Sequence, residues 1–508
     1  MSIDDGSEAS GIPSRRRTDR PSLRSETRQA WPDHHDLGFD AGVPGAMPTV
    51  IARVTGGDDV SAAADDTVVR AMPGVVAIVR VPSGIAVVAD SFDHALRAKE
   101  RLQALRGASA LEYVSDAEAR LRLTEAVPPF VLPPMLTKYI DVAYEFPQLG
   151  ADPLEVHTAI ADVRDGRADV WLAAQAPPIA AHTIGRAVGL PPDAVMLHVM
   201  RGGGSLGRPF FEPGVEAAQI SHAVGRPVKL LWTHDDARHG RFRPATFHRV
   251  RVTWALGEML TLEHRMSVAA TVTGPLDERV PYEIGEVTES LVGVPLRGAA
   301  GALGSLVSAT FAAANEMVID EVARQLGRDP VAFRRSMLTS ARLRAVLDAL
   351  VRMGGWGRPM RSGYAQGVAV HEVNGSTVAC LVEVDNTGVE PRATKVVMAA
   401  DVGRCNNPIG AEAQLQGAAV DAISVMYRPS DQFVDESWRE DNYTDFLWGR
   451  MRHNPPAVEV HVLASTGEPG SVVDLGFPAA AAAAANALAR APGAPSRRMT
   501  LSQRGYQA

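Results

Sequence analysis

Seven consecutive alanines, Ala479 to Ala485, come closest in this sequence to a long uninterrupted apolar run. A membrane-spanning helix needs roughly 18–20 apolar residues in a row, and alanine favours helix more than it favours lipid. No membrane span is therefore expected, and the chain must bury itself around many short elements. Its 508 residues are 46% hydrophobic and 22% charged, ordinary globular usage, and at roughly 150 residues per domain they suggest about three domains. Acidic residues outnumber basic ones, 59 to 51, for a net charge of −8. That leaves no global basic field for nucleic acid or an anionic membrane. Cys380 and Cys405 are the only cysteines. Two thiols exclude a disulfide scaffold and cannot hold a four-cysteine iron–sulfur cluster.

Residues 1–34 are rich in Ser, Arg, Asp and Pro and show no period, so a disordered tail is expected. Arg15-Arg16-Arg17 has the look of an export signal, but the TDRPSLRSETRQAW that follows is polar where such a signal is apolar. A cytoplasmic protein is the expectation. From Asp36 onward TVIARV, VVAIVRV and GIAVVAD read as strands and Ser91 to Leu105 as a helix, a small α+β unit. A proline-rich connector, AVPPFVLPPMLTKY, marks a boundary. Beyond it the spacing predicts a hairpin at Asp165-Gly166, a helix from Pro178 closed by Gly189, the strand AVMLHVM, the helix VEAAQISHAVG and the strand PVKLLWTH. A hairpin near Gly257 and amphipathic helices from Ala309 to Leu326 and over DPVAFRRSML follow. The last third alternates GVAVHEV, TVACLVEVD and TKVVMAADVG with a helix from Ile409 to Ser424, the strand AVEVHVLAS and the alanine helix. No internal repeat of fixed period is present.

Four stretches carry possible chemistry. RGGGSLGR, residues 201–208, follows a strand and precedes a helix, where glycines let backbone N–H groups approach an anion. It lacks the Gly-Lys-Ser/Thr of a Walker loop and fits Gly-x-Gly-x-x-Gly poorly; a plain tight turn is the alternative. Arg238, Arg241, Arg243 and Arg249 interleave with Trp232, Phe242 and Phe247, as in a nucleic-acid groove. The acidic total favours a polar loop leading into a strand. His234, His239 and His248 match no usual metal-ligand spacing, so no metal site is assigned to them. Gln414 and Gln416 lie on a helix after the turn Asn406-Asn407-Pro408, either solvated or bonded to a heteroatom-rich ligand. Cys405 beside that turn reads as a small core residue.

Together, VWLAAQAPP, RGGGSLGR, VGRPVKLLWTHDDARHGRFRPATFHRV, NEMVIDEVARQLGRDPVAFRR, AADVGRCNNPIGAEAQLQG and FPAAAAAAANAL resemble, in this order, the molybdenum hydroxylases. The likeness is to the large, molybdopterin-binding subunit of the xanthine dehydrogenase and aldehyde oxidase family, in the branch of the isoquinoline oxidoreductase beta subunits. It implies an α+β fold: a hammerhead-like α+β domain over 35–125, then two mixed α/β molybdopterin-binding domains over 126–340 and 341–508. The implied activity is hydroxylation of an aldehyde or an electron-poor N-heterocycle with oxygen from water, a glutamate serving as general base. The implied cofactor is molybdopterin with molybdenum, in the cytosine dinucleotide form. A non-catalytic paralogue that keeps the fold for subunit assembly or ligand binding is the alternative.

Carried over residue by residue, the resemblance puts Gln175 near the cofactor. The family's Gly-Gly-Gly-Phe-Gly falls on Gly203, Gly204, Ser205, Leu206 and Gly207, so one glycine is Ser and the Phe is Leu. Gln414 matches the family glutamine, with Gly417 on the same helix. An arginine of the family falls on Gly304 and is absent, and an earlier Gly-Gln-Gly segment has no counterpart. Two carboxylates compete for the role of base. Glu468 lies in STGEPGS, which looks like the family's Gly-Glu-Pro-Gly; counting back without gaps from FPAAAAAAANAL gives Asp474 instead. Asp474 would precede a helix begun at Pro478, where the positive dipole end favours a carboxylate, though an Asp there also serves as a plain cap.

Electrons from such a reaction leave through 2Fe-2S clusters, so the resemblance implies a separate small iron–sulfur subunit as partner, with a small-molecule substrate and no nucleic acid. The chain purified alone is expected to show no iron–sulfur absorbance in the visible. A cluster spectrum that stays with the isolated chain would contradict the partner.

Overall fold

Three tight hairpins set the pairing of the long strands. Asp165-Gly166, Leu256-Gly257 and Asn374-Gly375 each place both residues at positive φ, the geometry that matches strand twist in a two-residue turn. They join Thr158–Arg164 to Arg167–Ala173, Thr246–Ala255 to Glu258–Val268, and Tyr364–Val373 to Ser376–Asp385. These pairs belong to a computed structural model that describes residues 37–53, 66–103, 114–131, 137–150, 155–203, 211–238, 242–270, 279–296, 304–428, 432–434, 437–439, 449–491 and 497. The tail expected over 1–34 lies outside them.

The first sheet has seven strands, ordered Val75–Val81, Gly84–Ala89, Met47–Arg53, Val228–Leu231, Thr158–Arg164, Arg167–Ala173 and Val195–Met200. Strands from the N-terminal α+β unit and from the segment beyond the proline-rich connector share it, joined where Met47 lies parallel to Val228. Alternate residues face opposite layers. Ile51, Ala86 and Val88 pack with Val170 and Leu172 against the helices Pro177–Val188 and Glu212–Val224 through Ile184, Ala217 and Ile220. Val50, Ala52 and Val87 turn the other way, onto Ala95, Ala98 and Leu102 of the helix Phe92–Gln103. A buried polar cluster ties that helix down: Lys99 Nζ donates to Asp236 Oδ2 at 2.5 Å and Thr233 Oγ1 at 2.9 Å, Arg53 pairs with Glu216, and Trp232 Nε1 donates to Glu216 at 2.7 Å.

The second sheet, ordered Glu286–Gly293, Glu258–Val268, Thr246–Ala255 and Lys138–Phe146, and the third, Tyr364–Val373, Ser376–Asp385, Arg392–Asp401 and Val458–Val462, share one large core. The helix Gly304–Gln325 and the alanine helix Gly476–Arg490 lie within it. Alanine lets the second helix touch backbone to backbone: a Cβ on Gly367 would sit 2.1 Å from Ala487 N and 2.2 Å from Ala483 O. Arg334, fully buried, donates to Glu316 Oε2 at 2.9 Å, to Glu316 O at 2.8 Å and to Asp320 Oδ1 at 3.1 Å. Burial opposes its charge, but Glu316 and Asp320 outweigh burial and hold the guanidinium protonated. Tyr282 and Val370 N–H complete the shell of Glu316, and Arg490 reaches Asp320.

Most predicted elements are present, with shifted ends. The helix expected from Ala309 begins at Gly304, and the alanine helix begins at Gly476 rather than Pro478. The strand read through Trp232 to His234 stops at Leu231, because Thr233 and Asp236 cap a short helix reciprocally, Thr233 N to Asp236 Oδ2 at 2.8 Å and Asp236 N to Thr233 Oγ1 at 3.3 Å. The helices Asp116–Glu125 and Ala341–Gly354 and the strands Lys138–Phe146 and Glu286–Gly293 add to the sequence reading.

Between the second sheet and the helix Gly304–Gln325 runs a buried chain of hydrogen bonds: Thr246 Oγ1 to His248 Nε2 at 2.9 Å, His248 Nδ1 to His264 Nε2 at 2.9 Å, and His264 Nδ1 to Asn315 Oδ1 at 2.8 Å. Every partner is satisfied with both imidazoles neutral. Burial pushes His264 down to about 4 and His248 well below its ordinary value. The unfolded chain, with histidines near 6.5, therefore binds more protons than the folded one below that pH. Folding stability should fall as pH drops from 6.5 toward 5, by up to about 1.4 kcal/mol per pH unit for each histidine. Denaturant midpoints measured across that window should drop less steeply for His264→Gln. An identical slope would show that His264 is not buried neutral.

Candidate functional site

Two loop clusters hold the residues singled out in the sequence. The first lies past the carboxyl ends of the parallel strands Arg167–Ala173 and Val195–Met200, where ligands of α/β sheets bind. Gln175 is exposed there, just ahead of the helix Pro177–Val188. Gly203 leaves the neighbouring strand, and its N–H donates to Glu155 Oε2 at 2.6 Å while Phe39 N–H donates to Glu155 Oε1 at 2.8 Å. A Cβ on Gly203 would stand 2.3 Å from Glu155 Cβ, so this position admits only glycine. The first donor of the glycine loop is thus held by the protein's own carboxylate. Sequence reading passes over Glu155, since nothing local marks a residue whose partners lie 48 and 116 positions away. Gly204, Ser205, Leu206 and Gly207 lie outside the described residues.

The second cluster is built on the helix Pro408–Tyr427, which Asn407 caps through Gly410 N–H at 3.0 Å. Leu415, Ala419, Ala422 and Met426 form its buried face. Gly410, Gln414, Gly417 and Asp421 fall on the opposite face by helical spacing, with Gln414 and Gly417 exposed. A Cβ on Gly417 would meet nothing within 4 Å. An exposed glycine inside a helix costs about 1 kcal/mol against alanine, and here no packing among the described residues accounts for it. Arg243 closes this face from the other half of the molecule, donating to Asp421 Oδ2 at 2.7 Å and lying 5.4 Å from the Phe477 ring.

The loop between Val462 and Gly476 carries both candidate bases. Leu463 N–H donates to Ala400 O at 2.7 Å, Arg404 N–H to Gly467 O at 3.0 Å, and Gly470 N–H to Val402 O at 2.9 Å. Glu468 is exposed, with its backbone seated so closely on Gly403 that a Cβ there would lie 1.9 Å from Glu468 O. Asp474 is half-buried at φ 62°, a left-handed conformation that Asp tolerates better than most side chains. Leu475 occupies the cap position without a side-chain bond, so Asp474 stands one residue before the cap. Gly476 then packs against the 408–427 helix, a Cβ on it falling 2.9 Å from Ala418 Cβ. Asp474 therefore leads directly into the seam between the two helices.

Of the arginine-rich stretch, Arg243 and Arg249 are engaged within the fold, while Arg241 and the side chain of Arg238 lie outside the described residues. Arg249 donates to Val127 O at 2.7 Å and Arg251 to Asp141 at 2.9 Å, while Arg243 joins Asp421. His248 is buried and His234 half-buried in a short helix; His239 lies outside the described residues. Among the described residues no group of three or more His, Cys, Asp or Glu is placed to hold a metal ion, and no helix is long and apolar enough to cross a membrane. Cys405 is half-buried beside the large core, and burial pushes the Cys380 thiol well up.

Residues 137–291 match one molybdopterin cofactor-binding domain family and residues 309–428 a second. The chain is 26% identical to the beta chain of isoquinoline 1-oxidoreductase from Brevundimonas diminuta, over 90% of this chain and 64% of that one. It is 24% identical to a nicotinate dehydrogenase chain of Pseudomonas putida, over 85% of this chain and 41% of that one. It thus spans less than two thirds of the length of these curated relatives. Its fold is similar to that of quinoline 2-oxidoreductase from Pseudomonas putida 86, with a TM-score of 0.73, 14% identity, and coverage of 89% of this chain and 92% of that one. Aldehyde oxidoreductase from Desulfovibrio gigas is similar at a TM-score of 0.72 and 13% identity, over 92% of this chain and 77% of that one.

If the open face at Gly417 receives a ligand, filling it should separate binding from stability. Gly417→Leu is expected to leave the melting temperature equal or higher, since leucine is the better helix former by roughly 0.5–1 kcal/mol, while sharply lowering pterin content. Fluorimetric pterin assay after oxidation, alongside a thermal melt, checks both. Unchanged pterin content would remove Gly417 from the site.

Proposed function

The chain belongs to the molybdenum hydroxylases, as a molybdopterin-binding large-subunit chain of the isoquinoline oxidoreductase branch, and on that premise we propose that it is the cofactor-binding part of an oxidoreductase that hydroxylates aldehydes or N-heterocycles. The observation that carries this reading is the seam where Gly476 packs on Ala418. There the segment that carries the half-buried Asp474 packs on the helix whose other face bears the exposed Gln414 and Gly417.

That face fits a flat, heteroatom-rich group. Gln414 offers both a donor and an acceptor, and Gly417 leaves room for a ring against the helix. In our assignment Gln414 and Gly417 hold one side of molybdopterin, and Gln175 with Gly204, Ser205, Leu206 and Gly207 hold the other, Gly203 serving to fix the start of the loop through its N–H to Glu155. We assign the cytosine dinucleotide form. When bound, the cofactor supplies the oxidation chemistry that no side chain performs. Arg243, joined to Asp421, ties the segment ahead of the strand Thr246–Ala255 to the helix Pro408–Tyr427. The division at 126 and 341 into a hammerhead-like unit and two cofactor-binding domains, and a small 2Fe-2S subunit as electron acceptor, belong to the same proposal.

Asp474 is our general base, taking a proton at its carboxylate. It is one methylene shorter than the family glutamate, so its oxygens stop about 1.5 Å short on an unmoved backbone. A misplacement of about 1 Å can cost on the order of 100-fold in rate, and loss of a general base roughly 100- to 10,000-fold.

The test uses protein made in a host that supplies the cofactor, assayed with aldehyde and N-heterocycle panels and an acceptor dye. Near one molybdenum per chain is expected, with slow turnover that rises in Asp474→Glu and is unchanged in Glu468→Gln. Turnover destroyed by Glu468→Gln and untouched by Asp474→Asn would move the base to Glu468. No molybdenum across several hosts would refute the enzyme.

A further inference from the structure

We propose that the Arg342–Asp401 ion pair is the positioning device of the loop 463–475, holding in place both carboxylates, Glu468 and Asp474; the inference rests on reading that loop as an edge of the cofactor site. Arg342 stands at the start of the helix Ala341–Gly354, behind the loop, and takes no part in the residues assigned above. Its guanidinium donates to both carboxylate oxygens of Asp401 at 2.8 Å, to Asp401 O at 3.0 Å and to Gly375 O at 2.9 Å. Every donor group thus lands on the end of the strand Arg392–Asp401 or on the neighbouring hairpin turn.

Asp401 passes this constraint on. Its Oδ1 also accepts Gly403 N–H at 2.9 Å, which fixes the turn at φ 68°. That turn is the seat of the loop: Gly403 lies under Glu468 O, Arg404 N–H holds Gly467 O, and Val402 O holds Gly470 N–H. Ser471 N–H is anchored on Asn374 O at 3.2 Å, beside the carbonyl that Arg342 grips. The hydrogen bonds from Arg342 keep Asp401 below the usual carboxylate range, with Ser465 adding to them from the loop itself. The other groups facing the pair are Glu372, which acts on Arg342, and Thr377, opposite Asp401 across the sheet. A bidentate pair of this kind fixes direction as well as distance.

The test is amide hydrogen exchange on the full-length protein, with pterin content measured on the same preparations. In Asp401→Asn and Arg342→Gln, exchange at Gly403, Arg404 and Gly470 should rise by about tenfold or more, with the strand Thr158–Arg164 unchanged. Arg342→Lys, which keeps one charged bond, should recover part of the protection. No local rise would overturn the proposal, and so would a rise that spreads equally into the first sheet. A local rise with Lys rescue and unaltered pterin content would keep the positioning pair and refute instead the placement of this loop beside the cofactor.

Discussion

A guanidinium shut away from water organises the C-terminal half. Arg334 is fully buried, and its charge survives only because Glu316 and Asp320 surround it. Each carboxylate has further duties: Glu316 also accepts from the Val370 amide in the third sheet, and Asp320 accepts from Arg490 at the end of the alanine helix. Removing one partner of a buried ionic group strands the others without water, at a cost of about 3–5 kcal/mol. Two helices, a sheet and the alanine helix therefore meet at one point with little freedom to slide.

The alanine helix uses that fixed point. Asn486 donates to Val368 O at 3.1 Å, which sets the helix along the strand, and Gly367 lets it approach without a side chain between. Small residues turn a helix into a close-fitting wedge, because contact distance is set by backbone and Cβ atoms alone. Gly476 repeats the device at the other end against Ala418. The candidate base sits two residues before Gly476, so its position is a consequence of how the wedge is seated.

Local features of the sequence are readable where local physics decides. The Asp165-Gly166 turn, the left-handed Gly189 and Gly225 after their helices, and the alternating strands all follow from nearest-neighbour rules. The helix Ala341–Gly354 has its signals too, with Ser340 accepting Leu343 N–H and Leu343, Val346, Leu347 and Leu350 on one buried face. Those signals are easily passed over between two more familiar stretches. The strand Lys138–Phe146 is hidden by the prolines just ahead of it. Glu155 on Gly203, Arg243 on Asp421 and Arg342 on Asp401 belong to another class. Each is a pair between distant residues, and only the assembled sheets bring them together. At the candidate site, the residue types are legible and their partners are not.

The parallel joint between Met47–Arg53 and Val228–Leu231 has a consequence for how the protein is made. The N-terminal strands leave the ribosome early, yet the strand that completes their edge is encoded only at residue 228. At synthesis speeds of about 5–20 residues per second, the wait is on the order of ten seconds or more. Throughout it, Met47–Arg53 presents an unpaired edge rich in valine, isoleucine and alanine, a template for pairing with any other nascent chain. The order of synthesis thus leaves the Met47–Thr49 edge without its parallel neighbour until residues 228–230 are made.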